Sequence, residues 1–162
     1  MKKYIFIFLI IVGIGGFMFF KKDAPKEFSG NILNSAQNDS ASFTVRYPDG
    51  YKVFSTAPDE SQELYSIENS DGNGFQIFVT PFDEAGPITA DRIWQDMPDA
   101  QINEPGEAKL DGADSFVFYG YNEDIGDTFE VWTVRDEKLY QIMGRKTDEQ
   151  LIVDTLNTWK WR

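Results

Sequence analysis

The chain has 162 residues, with 27 Asp plus Glu against 15 Lys plus Arg, a formal net charge of −12, and neither cysteine nor histidine. Those absences exclude disulfides, thiolate nucleophiles, Cys/His zinc sites and Ser-His-Asp machinery, and the acidity repels the phosphates of DNA and RNA, so no nucleic-acid partner is expected. An aromatic fraction of 15% argues for a packed core rather than disorder.

Met1-Lys2-Lys3 precede an uncharged run from Tyr4 to Phe20, closed by Lys21-Lys22. At about 1.5 Å per residue the run reaches roughly 25 Å, slightly short of a hydrocarbon layer of about 30 Å. Lysine stems at both ends snorkel to the headgroups and cover the difference. Gly13-Ile14-Gly15 offers a small-x-small cleavage pattern, but cutting there would leave Gly16-Phe17-Met18-Phe19-Phe20 as the new start. Residues 1–22 are therefore read as a retained signal anchor, a single transmembrane helix. Lys2 and Lys3 on one side nearly balance Lys21, Lys22 and Lys26 on the other. A short tail before a long acidic body gives an inside N-terminus in the cytoplasmic membrane and an extracytoplasmic domain.

Residues 23–42 mix Lys, Ser, Asn, Gly and Gln without periodicity and read as a flexible polar spacer. From Phe43 onward 24 acidic residues face 10 basic ones, a formal −14, over a length that suits one globular domain, 43–162. Phe43–Tyr47 alternates as a strand, Pro48-Asp49-Gly50 turns the chain, and Tyr51–Ser55 is expected to return as the second strand of a hairpin. Leu64–Ile67 and Phe75–Val79 form a hairpin across the Asp-Gly and Asn-Gly content of residues 69–74. Thr89–Met97 reads as a short helix with Thr89 as N-cap, Asp91 in its first turn and Pro98 as its stop. Glu107–Leu110 and Ser115–Tyr121 flank Asp111-Gly112, and Thr128–Arg135 and Leu139–Met143 flank Asp136-Glu137-Lys138. Thr147-Asp148-Glu149-Gln150 fits a capping box, and Ile152, Leu156 and Trp159 give the closing helix one apolar face.

Phe116 and Phe118 point to one side of their strand and Val117, Tyr119 and Tyr121 to the other; Phe129 and Val131 likewise oppose Trp132 and Val134. A sheet with one wet face alternates apolar with polar. Both faces here are apolar, which predicts an α+β fold: an antiparallel β-sheet covered on both faces. The closing helix would lie on one side, with the Thr89 helix or the first hairpin on the other.

The segment Phe43-x-Val45-Arg46-Tyr47-Pro48-x-Gly50-Tyr51-x-Val53 resembles the opening hairpin of PsbP-like domains. Glu130-Val131-Trp132-x-Val134, Leu139-Tyr140-Gln141-Ile142 and Leu151-x-x-x-Thr155-Leu156-x-Thr158-Trp159 are similar to the closing hairpin and helix of membrane-anchored bacterial members of that group. The resemblance runs from Phe43 to the end of the chain. It implies an α/β/α sandwich and an extracytoplasmic accessory or assembly module that meets a protein partner in an envelope complex, not an enzyme. In the photosynthetic members the domain supports the oxygen-evolving complex; no functional residue carries over, since nothing here matches a photosystem-docking element.

Candidate sites are few. Asn69, Asp71 and Asn73 with Gly74 match the first half of an EF-hand loop and are weak candidates for calcium, but Thr80 stands where a bidentate Glu is needed. A tight hairpin turn explains the same residues. Glu123, Asp124 and Asp127 group three carboxylates on one loop, as solvated turn acids commonly do. Of the tryptophans available to line a groove, Trp132 and Trp159 sit at core positions; Trp94 flanks the helix face, and Trp161 is expected to be the most exposed. No catalytic residue is assigned. A membrane-tethered, non-catalytic interaction module is the first reading, and a small-ligand or cation-binding module on the same fold the alternative.

Overall fold

The structure, a computed structural model, describes residues 31–34 and 43–162. Its strands are β1 (Asn31–Asn34), β2 (Phe43–Tyr47), β3 (Lys52–Thr56), β4 (Glu63–Glu68), β5 (Gly74–Pro81), β6 (Asn103–Leu110), β7 (Ala113–Asn122), β8 (Gly126–Arg135), β9 (Lys138–Arg145) and β10 (Lys160–Trp161). The helices are α1 (Ala90–Asp96) and α2 (Glu149–Leu156), the latter entered through a 3-10 turn at Lys146–Asp148. Seven strands form one antiparallel sheet in the order β3-β4-β5-β9-β8-β7-β6; β1, β2 and β10 form a smaller one. The protein is α+β, mostly antiparallel sheet with two short helices.

Local chemistry explains the hairpins. Asp111 and Gly112 both have positive φ (45° and 90°), as the two-residue turn between β6 and β7 requires. Between β8 and β9, Asp136 and Glu137 adopt the same left-handed pair (49° and 59°). In the β4–β5 turn, the Asn69 side-chain oxygen accepts from the backbone N–H groups of Asp71 (2.9 Å) and Asn73 (3.0 Å). As expected, Thr89 caps α1, its Oγ1 accepting from the Arg92 N–H at 3.3 Å.

One face of the large sheet carries the main core. Tyr65, Ile67, Ile77, Val131, Tyr140 and Ile142 pack there beneath Ile152 of α2 and Trp159. Phe43 of β2 stacks on Trp159 with ring centroids 3.9 Å apart, a contact worth about 0.5–1.5 kcal/mol beyond its buried area. A Cβ at Gly144 would meet Ile152 Cδ1 and Phe75 Cβ, both at 2.8 Å, so glycine is what lets α2 seat on the sheet. On the opposite face a smaller cluster of Phe118, Trp132 and Leu139 packs against Ile88 and Ile93 at α1.

Several sequence expectations are corrected. The segments 43–47 and 52–56 do not form a hairpin: β2 pairs with β1 and β10, while β3 pairs with β4. The turn closed by Tyr51 N–H donating to Pro48 O passes the chain from one sheet to the other. Phe43 and Val45, each 1% exposed, are drawn onto the α2 side of the core, and Arg46 N–H donates to Thr158 Oγ1 at 2.8 Å. A turn signal specifies a bend, not which edge the next strand joins. The stretch read as spacer contains β1, whose Leu33 is 6% exposed and belongs to the main core.

The closing helix begins later than its capping box suggested. Asp148 occupies the N-cap position of α2 without a side-chain cap bond. Its carboxylate accepts instead from Gly74 N–H at 3.2 Å, tying the helix start to β5. Trp161 is half-buried rather than exposed: its indole N–H donates to Leu110 O at 2.8 Å and its ring meets Tyr140 and Trp159. Among the described residues no helix is long and apolar enough to cross a membrane, and the Tyr4–Phe20 run lies outside those residues.

Candidate functional site

Period-2 alternation places two rows of side chains on the α1 face of the large sheet. Phe78, Gln141 and Trp132 stand directly opposite one another across β5, β9 and β8. Gln76, Met143, Glu130 and Phe118 form the adjoining row, which continues onto β7. The α1 cluster covers only part of this face. Beside that cluster, between residues 97–101 and the sheet, lies a cavity of about 320 Å3, whose floor is these seven residues. Its walls are Met97–Gln101, just beyond α1, and Tyr121 and Asn122 at the end of β7.

Glu130 is the chemically distinctive residue of this floor. It is 8% exposed, in the middle of β8. Its Oε1 accepts from Thr128 Oγ1 at 2.7 Å and its Oε2 from the Trp132 indole N–H at 2.9 Å. Both donors are neutral, and no lysine or arginine among the described residues pairs with it. Burial pushes its pKa above the usual carboxylate range, and the two hydrogen bonds oppose that shift only in part. Gly120, opposite Thr128, makes room for the carboxyl: a Cβ there would lie 2.5 Å from Glu130 Oε1 and 2.7 Å from Thr128 Oγ1.

Gln141 adds a second acceptor. It is 6% exposed and its Oε1 has no hydrogen-bond partner, although buried polar atoms are ordinarily paired. Gln76 commits its amide nitrogen to Ser66 Oγ at 3.3 Å. The floor thus combines oxygen acceptors with the aromatic bodies of Trp132, Phe118 and Phe78, the mixed composition typical of small-molecule sites.

The residues singled out in the sequence lie elsewhere, with one exception. Asn69, Asp71 and Asn73 sit on the β4–β5 turn, where the Asn69 side-chain oxygen already serves two backbone donors. Among the described residues no group of three or more acidic side chains converges as metal ligands would. Glu123 and Asp124 form the β7–β8 turn, which Asn122 closes by accepting from Asp124 N–H at 3.0 Å; Asp127 follows on β8, exposed. Trp94 is 42% exposed and donates its indole N–H to Ala100 O at 3.0 Å, bracing the wall of the cavity. Trp159 is core, and Trp132 is both core and cavity floor. Glu130 and Gln141 were missed, yet each left a signal: a charged or amide residue at an inward position of a strand, between Thr128 and Trp132 or between Leu139 and Met143.

A second cavity, about 290 Å3, lies on the opposite face between the β6–β8 strands and the end of α2, lined by Val117, Phe129, Val131 and Leu156 among others. It has no buried charged group in its lining.

No protein-family model and no curated protein matches the chain. Among solved structures, a crystal structure from Bacteroides thetaiotaomicron VPI-5482 is similar at 16% identity and a TM-score of 0.47, covering 74% of this chain and 45% of that one. The chain therefore spans less than half the length of that protein.

Proposed function

We propose that this chain is a membrane-tethered, extracytoplasmic, non-catalytic binding domain, and that the cavity over β5, β9, β8 and β7 receives a small ligand. The observation that carries the reading is Glu130, a carboxyl buried at the cavity floor with only neutral protein donors. Burying an ionisable group without a charged partner costs stability, and an unmet group at the floor of a pocket is where a ligand supplies the missing interaction. The unpartnered Gln141 Oε1 beside it supports the same reading.

Docking through an apolar patch has less support. The large apolar side chains most exposed among the described residues, Ile32, Phe54, Trp94 and Tyr121, lie on four different elements. The PsbP-like sandwich belongs to the same proposal, supported by α2 on one face of the sheet and α1 on the other. The accessory role in an envelope complex that the resemblance implies would then depend on what occupies the cavity.

The test is a thermal-shift screen of a small-molecule library on the full-length protein in detergent. A ligand that binds only the folded state raises Tm in proportion to ln(1 + [L]/Kd). Hits should raise Tm in the native chain and lose the effect in Ala100→Trp, which puts a large side chain on the cavity lining. A screen without hits, or shifts that persist in Ala100→Trp, refutes the cavity as the binding site.

A further inference from the structure

The chemistry of the floor narrows the ligand class, on the reading that the cavity is a ligand site. Each oxygen of Glu130 takes one neutral donor and keeps lone-pair capacity, and Gln141 Oε1 takes none. The charged residues of the lining, Glu130 and Asp99, are both acidic, and no Lys or Arg joins them. What the cavity lacks is positive charge: its side-chain N–H groups are the neutral amides of Gln76, Gln101, Asn122 and Gln141 and the Trp132 indole. Its aromatic members are Trp132, Phe118 and Phe78, a residue class whose ring faces attract a cation and whose bodies shelter apolar groups.

We infer that the ligand is a small organic ammonium: a protonated amine on an apolar body, its N–H groups donating to Glu130 and Gln141 and its body lying against Trp132 and Phe118. An alcohol would serve Gln141 but bring no positive charge to the Glu130 carboxyl. A carboxylate ligand would set a second anion beside the first and be repelled. The volume, about 320 Å3, is at the small end of the range for ligand pockets, about 300–1,000 Å3, which fits a single ring or short chain better than a large cofactor. The domain's formal charge of −14 concentrates cations around it and speeds their arrival.

Calorimetric titration of the full-length protein in detergent tests this with three probes. Phenethylamine carries the ammonium; 2-phenylethanol and phenylacetate keep the ring and carry a hydroxyl or a carboxylate instead. Phenethylamine is expected to bind at least tenfold more tightly than the other two. Glu130→Gln should weaken the amine at least tenfold while leaving 2-phenylethanol within twofold, and Gln141→Leu should weaken the amine by a smaller factor. Melting curves of both variants establish that they are folded. Tighter binding of the alcohol or the carboxylate overturns the ammonium assignment and leaves the cavity standing as a site. Amine binding indifferent to both substitutions overturns it by placing the amine elsewhere on the acidic surface. No binding by any of the three also overturns it, and the library screen then decides separately whether the cavity binds anything.

Discussion

Two residues show how differently a buried polar atom can behave in this fold. Glu130 is buried as an ionisable group, so its effect on stability depends on pH. Its pKa is raised in the folded state, so folded protein holds the proton to higher pH than unfolded protein does. Stability is therefore lost as pH rises from the unfolded value, about 4.3, toward the folded one. Glu130→Gln removes that loss: its amide oxygen can accept from the Trp132 indole and its nitrogen can donate to Thr128 Oγ1. The variant should melt within a degree of the native chain at pH 4 and about 2–5 °C higher at pH 8, as calorimetry at both pH values would reveal. A lower melting point for the variant at pH 8 would contradict a buried, charge-strained carboxyl. Trp159 is the contrasting case. It is 1% exposed and its indole nitrogen has no partner, so its value lies in packing. Trp159→Ala should cost about 3–5 kcal/mol in chemical denaturation, and Trp159→Phe less than about half of that, because the stack on Phe43 survives and the unmet N–H disappears. Equal losses for the two would mean that the indole N–H matters after all.

At the scale of elements, the small sheet shows what a local signal leaves out. β1 is four residues long, and it holds its place through antiparallel pairing with β2 and through Leu33 in the core. Leu33→Ala should therefore destabilise the full-length protein by about 2–4 kcal/mol. A value under about 0.5 kcal/mol in urea denaturation would show that the strand is marginal and that the spacer reading fits better. The hairpins were readable in the sequence because glycine, asparagine and aspartate at fixed offsets fix turn geometry over four residues. The pairing of Phe43–Tyr47 was not. Its partners come from residues 31–34 and 160–161, separated in sequence and united only by the core. The start of α2 carries a further long-range contact: Asp148 accepts from Gly74, 74 residues away, which no local capping signal records.

At the scale of the whole molecule, the proposed tether sets the circumstances in which the cavity works. If residues 4–20 span a bilayer, the intact chain should pellet with membranes, resist alkaline carbonate extraction and be released by detergent. Protease added outside intact spheroplasts should degrade the acidic domain. Recovery in the soluble fraction without detergent, or protection of the domain from external protease, would reject the tether or its orientation. The cavity lies over the central strands β5, β9, β8 and β7, beside the cluster that α1 packs against, and residues 97–101 beyond the helix form its wall.

The sequence by itself determined the α+β class, most strands and turns, the capped α1 helix, and the assignment of alternating residues to two apolar faces. These depend on periodicities and turn geometries that span a few residues and act wherever the chain goes. Only the tertiary structure decided which strands share a sheet, where α2 begins, and that Glu130 and Gln141 meet Trp132 at the floor of one cavity. Those outcomes depend on contacts between segments far apart in the chain, which no local stretch of residues records.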